Sequence, residues 1–374
     1  MDVEELLGRL VAWPTVSDQP VTGIAAELAN RLEDVGMRVE RLDADTPGKC
    51  NLVCTAGPQG TDGIVLSGHM DVVPVVGQPW TSDPFTLTRR DDRLVGRGSC
   101  DMKAFLAAIV VALARTPPRD LKRELVLAFT HDEEVGCLGS RALADRFAAE
   151  GRTLPSLALI GEPTSFQMLR MHPGHVAAKI TCAGLAAHSS KPDLGRNAIR
   201  LAGKVLDALD ALADRWRLDV RFPELLERPF VVMNVATIHG GNAVNIVPDR
   251  CVIDVGFRPL PGMAPDALFE ELRDAVEPLG DVRAELIRVT PAMLTPSGTP
   301  LEALLRPWAS SPETAAASFA TDGGNFERLG VRTIVFGPGS IDVAHKADEY
   351  VPVGELHRAV DVVEEVVARR CREA

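Results

Sequence analysis

No run of about 18 apolar residues occurs in the 374-residue sequence, so no transmembrane helix is expected. The start, Met1-Asp2-Val3-Glu4-Glu5, is acidic, lacks a basic segment and leads into no long apolar core, so it does not read as a signal peptide. Basic residues are outnumbered. The formal net charge is -12, which argues against nucleic acid or an anionic membrane as a partner, since both select basic patches. No phosphate-binding loop is present: Gly96-Arg97-Gly98 has no third glycine at the dinucleotide spacing. Cys-x-x-Cys pairs are missing too. The seven cysteines, at 50, 54, 100, 137, 182, 251 and 371, read as reduced and mostly buried thiols of a cytoplasmic protein. There is no internal repeat and no low-complexity tail. What remains is an ordinary globular composition, 46% hydrophobic and 25% charged, in a chain long enough for two domains.

The first half has one repeated grammar. Short unbroken apolar runs, each read as a buried strand, end in ionisable residues. Ile64-Val65-Leu66 leads to Gly68-His69-Met70-Asp71, Leu125–Thr130 to His131-Asp132-Glu133-Glu134, and Leu157–Ile160 to Gly161-Glu162. Helical stretches alternate with them, at about 2–13, 23–35, 104–114 and 140–149, which predicts a mostly parallel sheet flanked by helices. In such sheets chemistry collects at the carboxyl ends of the strands. Residues 74–92, rich in Pro, Asp and Gly, read as a long loop beside those ends. Asp101 follows in a Gly-containing turn at the mouth of the apolar helix.

At about residue 175 the grammar changes. Strands near 175–183, 230–239, 250–258 and 282–289, with helices near 197–217 and 265–278, give the order βαββαβ of a ferredoxin-like unit. The expected organisation is a catalytic domain of residues 1–174 and 290–374, interrupted by an inserted lid or dimerisation domain of residues 175–289. The first domain then resumes with a helix near 301–308, a polar stretch at 320–325, a strand at 333–336, His345 and a last helix at 353–370.

His69, Asp101, Glu134, Glu162 and His345 are two imidazoles and three carboxylates, a donor set suited to Zn²⁺, Co²⁺ or Mn²⁺. Five ligands are too many for one tetrahedral catalytic ion. They fit two ions that share a carboxylate, expected to be Asp101. Two such ions, about 3.5–4 Å apart, can hold and acidify one water. Glu133 is left over, as a general base requires. Asp71, two residues from His69 on an extended chain, is placed to fix the imidazole tautomer.

These segments resemble the di-zinc amidohydrolase and exopeptidase family that contains acetylornithine deacetylase, succinyl-diaminopimelate desuccinylase, aminoacylase and glutamate carboxypeptidase. The resemblance is carried by Gly68-His69-Met70-Asp71, Gly98-Ser99-Cys100-Asp101-Met102-Lys103, Asp132-Glu133-Glu134, Gly161-Glu162-Pro163-Thr164, Ala187-His188-Ser189-Ser190, Arg258-Pro259-Leu260-Pro261-Gly262 and Phe336-Gly337-Pro338-Gly339-Ser340 with Ala344-His345. They run in the family's order from the first strands to the last helix. The resemblance implies that His69 and Glu162 hold one ion, that Glu134 and His345 hold the other, and that Asp101 bridges. It implies Glu133 as base, Asp71 as the orienting group of His69, and His188 as an oxyanion donor reaching the partner subunit of a homodimer. Asn245 and Arg258 match positions that hold the substrate carboxylate. The closest likeness, to acetylornithine deacetylase, implies N²-acetyl-L-ornithine as the small-molecule substrate, cleaved to acetate and ornithine in arginine biosynthesis. The alternatives are N-acetylcitrulline, succinyl-diaminopimelate, and the substrate of a related N-acyl amino acid amidohydrolase or glutamate-type carboxypeptidase.

Three departures stand out. His131 occupies a place where relatives usually carry a small residue, Ala104 replaces a glycine, and Thr321-Asp322-Gly323-Gly324 differs from the Thr-Glu-Ala type of stretch. Asp322 is a candidate partner for the distal ammonium of ornithine. His172, His239 and His357 are assigned to structure or solvent, and His175 is left open. A rival of another class, a catalytically dead homologue that only binds metal or amino acid, has no need for Glu133.

Overall fold

The computed structural model describes residues 2–373, which divide into two compact units. One contains the chain up to Arg170, Leu294–Ala315 and everything from Thr321 on; the other contains Met171–Met293 and Ala316–Ala320. The short return at 316–320 has no signal in the sequence pattern.

In the first unit the apolar runs are strands buried along their whole length, Ile64–His69, Leu125–Thr130 and Leu157–Ile160. All-round burial is what a sheet covered on both faces demands. Ile64–His69 is central and parallel to both neighbours, with Leu66 opposite Leu127 on one side and Leu159 on the other. Arg332–Val335 extends the parallel set beyond Leu157–Ile160. On the opposite side Cys50–Ala56 pairs antiparallel with Leu125–Thr130, and Arg38–Asp43 pairs antiparallel with it in turn. The sheet is therefore largely parallel at its centre with an antiparallel edge.

The helix Lys103–Arg115 is buried from Lys103 to Leu113. It packs on Val3–Val11, on Val353–Val367 and on the central strand. Its approach explains two glycines. A Cβ at Gly68 would lie 2.7 Å from the Met102 side chain, and one at Gly161 would lie 1.9 Å from the Phe105 ring. Each glycine immediately precedes a candidate ligand, His69 or Glu162. The helix can press against these strand ends only because no side chain intervenes.

The 74–92 segment is not all loop. Thr88–Arg90 and Arg93–Val95 form a hairpin, and Tyr350–Pro352 pairs antiparallel with Arg93–Val95. Proline and glycine hid these three-residue strands, whose pairing partner lies some 250 residues away in sequence. This small sheet brings Glu349 to the 97–101 turn.

The second unit is a four-stranded antiparallel sheet with Val232–Gly240, Arg250–Arg258, His175–Ala183 and Val282–Thr290 in that spatial order. Helices Ala198–Trp216 and Pro265–Val276 complete the order βαββαβ. Burial alternates along His175–Ala183 and Arg250–Arg258, as in a sheet with one covered face. Val176, Ile180, Ile253 and Phe257 pack with Val205, Leu209, Leu212, Trp216, Leu272 and Val276 in one core. Asn197 caps the longer helix by accepting from the backbone N–H groups of Ile199 and Arg200. Among the described residues no helix is long and apolar enough to cross a membrane. All seven cysteines are free and buried.

Candidate di-metal centre

Five candidate ligands separated by up to 276 positions converge at the carboxyl edge of the first unit's sheet. His69 ends the central strand, Glu134 follows Leu125–Thr130, Glu162 follows Leu157–Ile160, and Asp101 sits just before the Lys103–Arg115 helix. His345 comes from the loop after Arg332–Val335. Asp101 faces both ways. Its Oδ1 lies 3.0 Å from His69 Nε2, and its Oδ2 lies 3.2 Å from His345 Nε2. Glu162 Oε1 is 3.9 Å from His69 Nε2, and Glu134 Oε2 is 3.0 Å from His345 Nε2. Two triads result, His69–Asp101–Glu162 and Asp101–Glu134–His345, each with donor atoms within 4.8 Å of one another.

The electrostatics fit cations. Burial pushes the carboxyls of Glu133, Glu134 and Glu162 above their ordinary range, and neighbouring carboxylates add to the shift. Asp101 is shifted the other way: burial opposes its charge, but hydrogen bonds from His345 and His69 hold it well below the usual carboxylate range. His345 is pushed up to about 10 by its hydrogen bonds to Asp101 and Glu134. His69 is raised as well, with burial opposing and Asp101 and Glu162 prevailing. The carboxylates thus call for more positive charge than two imidazoles supply. Glu134 Oε1 is buried with no hydrogen-bond partner. An unpaired buried carboxylate oxygen is costly, and a divalent cation would satisfy it. Borderline nitrogen and hard oxygen donors match Zn²⁺, Co²⁺ or Mn²⁺.

Asp71 differs from expectation in detail. The His69 ring is held through Nδ1 by the main-chain carbonyl of Asp71 at 2.9 Å, while the carboxylate stands off at 3.7 Å. The carboxylate instead accepts the backbone N–H groups of Glu133 at 3.0 Å and Glu134 at 3.3 Å, and the Ser17 hydroxyl at 2.9 Å. It therefore fixes the turn carrying both glutamates. The fully extended His-x-Asp geometry that would align the two side chains ends at His69, where the strand stops.

Around Glu133 the Cys137 thiol donates to its Oε1 at 3.3 Å. Asp322 is buried beside them, with Oδ2 accepting from the Thr130 hydroxyl at 2.6 Å and Oδ1 unpartnered. His131 is buried with Nδ1 3.1 Å from Asp132 Oδ2, and the other oxygen of Asp132 accepts from Lys49 at 2.6 Å. His131 thus leans on the buried Lys49–Asp132 ion pair and buttresses the turn. Glu349 was not singled out from the sequence as a site residue. It is buried, accepts the backbone N–H groups of Cys100 and Asp101 at 2.9 and 3.0 Å, and pairs with buried Arg97.

His188, Asn245 and Arg258 belong to the second unit. His188 is exposed with Nδ1 2.7 Å from the Ser190 hydroxyl, and Asn245 lies next to it, accepting the Ser189 N–H through its carbonyl at 3.0 Å. Arg258 is half-buried in a cavity of about 500 Å³ lined also by Leu226, Arg228, Phe230 and Leu260. Of the remaining histidines, His172 is buried, its Nδ1 is 3.0 Å from the Pro173 carbonyl, and burial lowers it to about 4. His175 is lowered to about 4 by burial and then by Arg258. His357 meets Glu4 at 3.2 Å, and His239 is exposed.

Known proteins resemble the chain in sequence and in fold. Residues 65–369 match the model of peptidase family M20/M25/M40. The chain is 33% identical to an acetylornithine deacetylase of Proteus mirabilis over 98% of its length and 96% of that protein's. It is 34% identical to an acetylornithine deacetylase of Klebsiella pneumoniae, covering 98% and 97% of the two chains. Among solved structures, an M20 family metallo-carboxypeptidase of Sulfolobus solfataricus superposes with a TM-score of 0.79 at 18% identity, covering 98% and 99% of the two chains. The aminopeptidase PepT of Bacillus cereus gives 0.75 at 21% identity, over 97% and 98%. With its sequence matched over most of its length and its candidate ligands gathered as two triads around one carboxylate, the chain belongs to peptidase family M20/M25/M40 as a di-metal hydrolase of the acetylornithine deacetylase-like kind.

Proposed function

We propose that the protein removes the acetyl group from N²-acetyl-L-ornithine, giving acetate and L-ornithine in arginine biosynthesis. The observation that carries the hydrolytic reading is the division of the cluster: two triads share Asp101, and Glu133 belongs to neither. When bound, the two cations, Zn²⁺ by preference, supply acidification of water and polarisation of the scissile carbonyl. Glu133 takes the proton of the attacking water as its oxygen bonds to the carbonyl carbon. As the C–N bond breaks, Glu133 returns that proton to the leaving amine. Its buried setting raises its proton affinity, which suits a group that must hold a proton between the two steps. Asp71, through the Glu133 and Glu134 N–H groups, keeps the base and its neighbouring ligand in register.

The second unit is proposed as a ferredoxin-like lid and dimerisation domain. His188 donates to the oxyanion of the partner subunit's site, while Asn245 and Arg258 hold the α-carboxylate, Arg258 as a forked donor. Support for the homodimer comes from the exposed apolar residues near His188, among them Leu185, Leu194, Val244 and Ile246. Mixed His188→Ala and Glu133→Ala chains should regain activity as heterodimers; no recovery after proven subunit exchange would place His188 outside the neighbour's site.

The substrate rests on the relatives' names and on Arg258 with Asn245. Asp322, expected to pair the distal ammonium, is proposed instead to act on Glu133, since it is buried with one oxygen committed to Thr130. That burial removes the ammonium's designated partner and keeps N-acetylcitrulline, whose side chain ends in a neutral ureido group, as the second reading. The test is kcat/KM for acetylornithine, acetylcitrulline and succinyl-diaminopimelate side by side. A preference of tenfold, about 1.4 kcal/mol, for either competitor overturns the acetylornithine assignment.

A further inference from the structure

His345 is the least supported of the five ligands. Its side chain is 49% exposed, against 1% for His69. Its backbone is left-handed, with φ of +63°, a conformation that a non-glycine residue keeps only when its surroundings impose it. Its neighbour Lys346 is exposed as well, while Ala344 before it is buried. One side chain reaches its backbone: Gln78 Nε2 donates to the His345 carbonyl at 2.8 Å.

The orientation of the Gln78 amide is dictated by its other end. Oε1 accepts from Arg97 Nη2 at 2.6 Å and from the Trp80 indole N–H at 3.0 Å. Two donors on one side leave the NH₂ group to face His345. Arg97 is itself buried, stacks 5.1 Å from the Trp80 ring centroid and pairs with Glu349. Glu349 Oε1 accepts the N–H groups of Cys100 and Asp101. Thr81, in the same segment as Gln78, ties down the His345 loop a second time, through Asp348 at 2.8 Å. A continuous chain of polar contacts therefore runs from the backbone of Asp101 through Glu349, Arg97 and Gln78 to the backbone of His345. Its ends are the bridging ligand and one terminal ligand of the same triad. The three linking side chains, Glu349, Arg97 and Gln78, make their hydrogen bonds to neither His69 nor Glu162.

We propose that Gln78, Arg97 and Glu349 are positioning residues for the second cation, the one held by Asp101, Glu134 and His345. They set the separation of Asp101 and His345 through backbone contacts, with Gln78 as the adjustable link. The proposal rests on the di-metal reading. Groups that orient ligands from behind typically change metal affinity by about 10–100-fold when lost.

The experiment is a zinc titration of metal-free full-length protein by calorimetry, with unfolding midpoints as a check on folding. Gln78→Ala removes both arms of the link. Gln78→Glu keeps an acceptor for Arg97 and removes the donor to His345, so it isolates the last contact. Expected for both variants is a first ion bound as in the parent and a second ion weakened about 10–100-fold. Second-ion affinity unchanged in Gln78→Glu and Gln78→Ala, or weakening of both ions equally, overturns the proposal. Binding of a single ion by the parent protein would instead refute the di-metal reading itself, so the two failures are told apart.

Discussion

The two triads use the same residue types and are built in opposite ways. His69 and Glu162 stand at the ends of fully buried strands, each behind a glycine that admits the Lys103–Arg115 helix to close contact. Their positions follow from packing, which is dense and resists displacement. His345 stands on an exposed loop, and its place is held by polar contacts from the 78–101 region. One side is a by-product of the core; on the other, Glu134 also follows a buried strand, and only His345 is held by long-range hydrogen bonds. Asp101 belongs to both, and Glu133 to neither.

The largest effect expected from that division is catalytic. Glu133→Gln should retain both ions and lose about 10²–10⁴-fold in kcat, the usual range for a general base. Glu134→Gln should instead lose metal from the His345 side. An exchange of these phenotypes, read by rate and elemental analysis on the same samples, would reverse the roles within the pair.

A second expectation concerns metal-free stability, where the two imidazoles should part company. His69→Ala removes a buried, hydrogen-bonded ring and should cost about 1–3 kcal/mol in urea unfolding. His345→Ala also strips hydrogen bonds from Asp101 and Glu134, but on a half-exposed loop where water can take the ring's place, and should cost less. Equal costs would erase the contrast between a packed and an assembled triad.

Of the same size as the His69 effect, and confined to the packed side, is that of Gly161→Ala. The new methyl would meet the Phe105 ring, and relief of such overpacking costs about 1–3 kcal/mol. Because the strand end must shift, the His69–Glu162 ion should weaken while the His345 ion is unaffected. Chelator competition on the purified variant reads that difference.

This contrast also explains which parts were legible in the sequence. Apolar strands ending in His69, Glu133–Glu134 and Glu162 advertise themselves, since burial on both faces leaves unbroken hydrophobic runs. The order βαββαβ was readable from the alternation along 175–183 and 250–258, which a sheet covered on one face imposes. On the assembled side Glu134 and His345 could be named, but the contacts that hold His345 could not. Three-residue strands at 88–90, 93–95 and 350–352 carry no periodicity, and Glu349 reaches Asp101 across 248 positions. Whether His69 is held by the carbonyl or the carboxylate of Asp71 depends on where the strand ends, to within one residue. Asp322 could be seen as an acidic residue near the site, but its burial against Thr130 is a tertiary fact.

The proposed sharing of Asp101 between the two ions is tested most directly by one measurement. Zinc content and affinity should be determined by elemental analysis and chelator competition for the parent protein and for Asp101→Ala. Two ions per fully active parent chain, with both weakened in Asp101→Ala, is the predicted result. A fully active parent carrying one ion, or an Asp101→Ala variant that keeps one ion at parental affinity, would contradict it.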